Sequence, residues 1–183
     1  SLLLWVSLVI YGVGMVGMFG CSAVNNHDFA ERSRWAGLFG RLDHVGILLM
    51  IAATYTPLAL HILGGIAGVL LCLGVWSGAL LGMGMQLLSR SPVPMRWSLG
   101  LYILLGWCGI FALQPLLSSA SLSVLVLILL GGVLYSLGIP FFLWRRLPYH
   151  RAIWHAFVVA GAACHYAAVL VGVALGGGLA ASQ

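Results

Sequence analysis

The chain reads as an all-α, polytopic membrane helical bundle, and three observations predict it. First, 62% of its 183 residues are hydrophobic and 6% are charged, too little polar surface to cover a soluble core of this length. Second, the apolar residues gather into six long runs, and about 20 residues suffice to cross a hydrocarbon core of about 30 Å as helix. Third, all eight basic residues are arginines confined to three connecting segments. Arg32, Arg34 and Arg41 occupy one, Arg90 and Arg96 another, and Arg145, Arg146 and Arg151 the last.

The runs cover about 2–24, 43–61, 63–88, 97–116, 121–144 and 152–177, in a single transmembrane domain spanning 1–183. Backbone polar groups in lipid must be paired within the segment, which makes these runs helices. The dyad alternation of outer-membrane strands is absent from them. Asn25, Asn26 and Asp28 end the first run. Asp43 opens the second, where a carboxylate caps a helix and favours its dipole. Ser91-Pro92-Val93-Pro94 separates the third from the fourth, Ser118-Ser119 the fourth from the fifth, and Leu147-Pro148-Tyr149 precedes the last. Pro57 and Pro140 are expected to kink their helices. Gly64-x3-Gly68 and Gly172-x3-Gly176 have the spacing of close helix packing. Trp35, Trp97, Trp144 and Trp154 are expected to form an aromatic belt on the arginine side, with Trp76 and Trp107 deeper in the core.

Loop charge sets an orientation. Short arginine-rich loops stay cytoplasmic, so both ends of this sequence are expected on the opposite side. The first run follows no basic stretch and reads as a span rather than a signal peptide. One more helix upstream of Ser1 would bring the start of the protein inside, giving seven helices with the C-terminus outside. A bacterial inner (cytoplasmic) membrane is the expected location.

The same charges limit the partners. A net charge of +5 spread over membrane-edge loops lacks the stripe that nucleic acid needs, so no nucleic acid is expected. Membrane lipids are the expected contacts of the arginines, with other membrane-protein subunits as further partners. Cys21, Cys72, Cys108 and Cys164 show no CxxC spacing and read as small packing residues.

Polar side chains in or beside spans are the functional candidates. The acids Asp28, Glu31 and Asp43 and the histidines His27, His44, His150 and His155 all sit at the arginine side. Ser22 and Asn26 are four residues apart, as are Arg151 and His155, so each pair shares a helical face. Ser22, Asn26, Asp43, Arg151 and His155 thus form an expected structural polar pocket, with Asp43 and Arg151 neutralising each other. His61 and His165 lie nearer the other side and read as structural; His27 and His150 read as exposed loop histidines. No phosphate-binding glycine loop, nucleophile elbow, HExxH or glycosidase-type carboxylate pair is present in the sequence.

Arg41-Leu42-Asp43-His44-Val45-Gly46-Ile47, followed by Ile51-Ala52-Ala53-Thr54-Tyr55-Thr56-Pro57, resembles the hemolysin III family of the progestin and adipoQ receptor superfamily. Gly131-Gly132-Val133-Leu134-Tyr135-Ser136-Leu137-Gly138 looks like its sixth helix, and Ala152-Ile153-Trp154-His155 with Phe157, Val158 and His165 like its last. The resemblance spans nearly the whole sequence and implies a seven-helix fold with N-in, C-out topology. It also implies a zinc ion near the cytoplasmic face, held through a Ser-x3-His, an Asp and a His-x3-His. Related receptors are regarded as lipid amide hydrolases, in which three histidines leave an open position and zinc activates water.

Two of those three histidines are replaced here. Ser22-x3 leads to Asn26, and Arg151 stands four residues before His155. His27 and His150 are each one residue out of register, about 100° around a helix. Arginine stays protonated and is a poor ligand, but it can supply positive charge beside Asp43. The expectation is therefore a non-catalytic membrane protein without cofactor, acting in membrane homeostasis or as an accessory subunit. The alternative is a zinc-dependent hydrolase of a lipid amide or similar bond. Its catalytic candidates are Ser22, Asp43 and His155, and its zinc ligands would come from His155, His27, His150 and Asp43. The family's name also suggests a pore, but the sequence has no lumen-lining polar stripe.

Overall fold

The computed structural model describes residues 1–27 and 32–176. The protein is 88% helical, with no strand among the described residues. Among the described residues, six helices are long and apolar enough to cross a membrane: Leu2–Asn25, Ala36–Leu63, Gly65–Leu88, Met95–Ser119, Leu122–Leu143 and His150–Leu175. The fold is a polytopic helical bundle, as the composition predicts. Asp28 and Glu31 lie outside the described residues, as does residue 177 at the expected end of the last run.

Helix α1 covers Leu2–Asn25, with the Ser1 side chain accepting from the Leu4 amide at its start. Helix α2 covers Ala36–Pro57 and continues as a π-helical stretch, Leu58–Leu63. Proline has no amide hydrogen to give and its ring crowds the preceding turn, which accounts for the change of winding at Pro57. Helix α3 covers Gly65–Leu88 and α4 covers Met95–Trp107, which tightens into a 3-10 turn at Cys108–Ala112. Helix α5 is Leu113–Ser119, α6 is Leu122–Leu143 and α7 is His150–Val169, extended in π form through Leu170–Leu175.

Helix α2 opens about two turns before the position expected from hydropathy. Asp43 is therefore inside the helix and does not cap it. Trp35 precedes the helix, its amide donating to Ser33 Oγ. The apolar run marks the lipid-embedded portion of a helix, and a helix extends beyond lipid wherever its polar side chains find partners; Arg41 finds them, as described below. Likewise α7 opens at His150, so His150 and Arg151 belong to its first turn, not to a loop.

The chain divides into two compact units, Ser1–Ala112 and Leu113–Gln183. In the first, α2 is the hub: 56% of its apolar window is buried inside the protein, against 22% for α1. Leu48, Ala52, Val75, Ala79 and Leu105 form its buried core, contributed by α2, α3 and α4. Close approach of α1 and α2 depends on small residues. A Cβ on Gly46 would stand 3.0 Å from the Met18 Cα, and one on Gly14 would run into Ala53. In the second unit α6 packs on α7. There the His165 ring lies over Gly131 and meets the Ile128 carbonyl at 3.2 Å, a structural role consistent with the reading of its sequence.

Leu70, Leu81 and Leu88 of α3 are 63%, 71% and 85% exposed. In water such a surface would be a large apolar patch; against acyl chains it is the expected exterior.

Candidate functional site

Ser22 and Asn26 stand at the end of α1, and Asp43 and His44 on α2, all in the first unit. Arg151 and His155 stand on α7, in the second unit.

In the first unit the partner of Asp43 is Asn25, whose Nδ2 donates to Asp43 Oδ2 at 3.2 Å. Asn26 is exposed and turns back along its own helix, donating from Nδ2 to the Ser22 carbonyl at 2.8 Å. One residue is about 100° of rotation, so only one of two adjacent asparagines can face α2. His27 follows in a bend at the end of α1 and is exposed. In the second unit Arg151 is exposed on the first turn of α7, and His155 is half-buried one turn later.

Beside Asp43 a polar network crosses three helices, and the sequence reading did not find it. The Tyr102 hydroxyl of α4 and His44 Nδ1 of α2 share a hydrogen bond of 2.9 Å. Ser98, one turn before Tyr102, accepts at 2.8 Å from Nε2 of Gln86 on α3. Gln86 and Ser98 are 4% and 3% exposed, so in this apolar setting each satisfies a group that would be costly alone. Gln86 carried the available signal: a lone carboxamide inside the apolar run of a span needs a partner on another helix.

Arg41 completes this end of the unit. Its Nη1 donates to the carbonyls of Gln86, Leu87 and Ser89, at 3.2, 3.3 and 2.7 Å. These are orphan acceptors at the C-terminus of α3, where the helix dipole also favours a cation. The contact joins the first and second arginine-bearing segments at one end of the unit.

The remaining polar contacts of this unit brace its helices. The Tyr55 hydroxyl donates to the Gly106 carbonyl at 2.8 Å and accepts from the Gly109 amide at 3.0 Å, where α4 tightens into its 3-10 turn. Trp76 Nε1 donates to Thr56 Oγ1 at 3.0 Å. At the far end, Ser7 Oγ donates to the Leu4 carbonyl at 2.8 Å and meets His61 Nε2 at 2.9 Å. This contact gives His61 a structural role. All four cysteines are free.

Among the described residues, no three side chains of His, Cys, Asp or Glu are grouped to hold one ion. Asp43 receives an amide hydrogen, and Asn26 points to a carbonyl of its own helix.

Comparison with known proteins then decides the family. The haemolysin-III-related family model matches residues 3–166. The chain belongs to that family. It is 36% identical over 165 residues to the hemolysin-3 homolog of Bacillus subtilis, covering 90% of this chain and 76% of the relative. It is 37% identical over 168 residues to hemolysin-3 of Bacillus cereus, covering 90% and 74%. The human monocyte to macrophage differentiation factor is 30% identical over 165 residues, covering 87% and 67%. No solved structure matches significantly. The chain is thus an integral membrane protein of the haemolysin-III-related family.

Proposed function

We propose that this family member is non-catalytic: a structural or accessory membrane protein in membrane homeostasis or in a larger membrane complex, with no resident metal. One observation carries the reading. Asp43, the acid of the implied metal motif, is answered by the Asn25 carboxamide, and Asn26 and Arg151 stand where imidazoles are implied. An amide supplies hydrogen-bond donors to a carboxylate, but it neither lowers the pKa of a water nor leaves an open coordination position. The neighbouring network of His44, Tyr102, Ser98 and Gln86 is internally satisfied and serves to hold three helices together.

The cytoplasmic placement of the arginine segments, and a C-terminus on the far side, belong to the same proposal. They rest on loop charge, with the Arg41 contact in support. The bacterial relatives support an inner (cytoplasmic) membrane.

A lipid-amide hydrolysis assay on the purified full-length protein tests the reading. With zinc supplied, the expected result is fatty-acid release at the background rate. Turnover that Asp43→Asn or His155→Ala abolishes, while the variants remain folded, would restore the hydrolase reading with Ser22, Asp43 and His155 as its residues.

A further inference from the structure

We propose that the hairpin between α3 and α4 is a binding site for the phosphate-bearing headgroup of an anionic phospholipid. The hairpin holds an open groove of about 400 Å³ in the first unit. Its lining mixes residue types: Ser89 and Ser91 are polar, Met85, Val93 and Trp97 are apolar, and Pro92 and Pro94 stand among them. Two cations bracket the groove in sequence. Arg90 follows Ser89 and Arg96 precedes Trp97, and both are exposed. The three acids of the chain are Asp28, Glu31 and Asp43, so none lies in this hairpin to compete for the arginines.

The electrostatics at the end of α3, beside Ser89 of the groove, also suit an anion. The C-terminus of a helix repels negative charge through its unpaired carbonyls. Here the guanidinium of Arg41 covers three of them, including Ser89's at 2.7 Å. That contact also anchors the hairpin at the groove. Pro92 and Pro94 further restrict the loop, which lowers the ordering cost of binding. A free phosphate would use the arginines and hydroxyls alone. A phospholipid also uses the apolar wall, where Trp97 is 64% and neighbouring Leu88 85% exposed. The combination of a double cation, hydroxyls and an apolar wall at a span end commits the site to a lipid.

The test titrates detergent-solubilised full-length protein with phosphatidylglycerol, phosphatidylcholine and sn-glycerol 3-phosphate, reading occupancy by native mass spectrometry. The expected result is preferential binding of phosphatidylglycerol, with little displacement by glycerol phosphate. Each juxtamembrane arginine contributes about fivefold to affinity, so Arg90→Gln with Arg96→Gln should weaken phosphatidylglycerol by about 25-fold, toward the phosphatidylcholine level. Arg145→Gln with Arg146→Gln removes the same charge elsewhere and should leave the preference intact. Equal losses in the two double variants would show general charge attraction and overturn the site. So would equal binding of the two lipids. Displacement of phosphatidylglycerol by glycerol phosphate at comparable concentration would instead make the site one for free phosphate esters. A second measurement leaves the arginines untouched. Brominated phosphatidylglycerol should quench tryptophan fluorescence more than brominated phosphatidylcholine, and Trp97→Phe should remove that difference. A difference that survives Trp97→Phe places the lipid elsewhere.

Discussion

Arg41→Ala should destabilise the protein although Arg41 is far from a hydrophobic core position. The side chain donates to three carbonyls at the end of α3. The bond to Leu87 is exposed and water can replace it, so its loss costs little. The bonds to Gln86 and Ser89 are partly buried. A hydrogen bond from a charged donor contributes about 1.5–3 kcal/mol, and a long one less. With the Gln86 contact at 3.2 Å and the Ser89 contact at 2.7 Å, the sum is about 2–3 kcal/mol. At about 2–4 °C per kcal/mol for a chain of this size, the melting temperature should fall by roughly 5–10 °C. The assay is thermal unfolding in detergent followed by a thiol-reactive dye, because Cys72 is buried and free in the folded protein. Arg41→Lys should recover only part of the loss, since an ammonium is a point charge without the guanidinium's reach. An unchanged melting temperature for Arg41→Ala would refute the capping role and return Arg41 to a headgroup contact.

Three further perturbations follow from the geometry. Gly46→Leu should separate α1 from α2, costing at least ~2 kcal/mol in the same melting assay, because even a Cβ there stands 3.0 Å from Met18 backbone. Gln86→Leu should cost about 1–3 kcal/mol by leaving Ser98 without its partner, while Gln86→Leu with Ser98→Ala should cost less than the single change; a strictly additive loss would contradict the pairing. Gly131→Ala should destabilise the α6–α7 pair by about 1–3 kcal/mol, since the new methyl would meet the His165 ring, and His165→Ala should relieve part of that loss.

The spans were legible in the sequence because hydropathy measures what lipid requires, and the described residues hold six helices long and apolar enough to cross a membrane. Hydropathy reports the lipid boundary and not the helix end, which is why α2 was expected at Asp43 and opens at Ala36. The choice of Asn25 over Asn26 was not legible, because it depends on the rotation of α1 about its axis as α1 packs on α2. Arg41 was visible as a charge, but its partners lie 45 to 48 residues away, a separation that no local pattern encodes. Of the buried network, His44 was noted as one of the arginine-side histidines, while Gln86, Ser98 and Tyr102 escaped notice because a search for ionisable groups passes over neutral ones. The glycines that matter for packing were legible only in part. Gly68 of the expected Gly64-x3-Gly68 pair is closely packed, where a Cβ would run into the Ala59 backbone, while Gly64 adopts φ 63, a conformation suited to glycine; the tight contacts of Gly14, Gly46 and Gly131 carried no such spacing.

An amide–acid pair, Asn25 with Asp43, stands where the family resemblance implies a metal. The most direct test is elemental analysis of the full-length protein purified without chelator and dialysed against zinc, together with its melting temperature before and after chelation. The account predicts substoichiometric zinc and an unchanged melting temperature, because a ligand that does not bind the native state adds nothing to its stability. One zinc per chain, with a melting temperature that falls on chelation and recovers when zinc is restored, would contradict it.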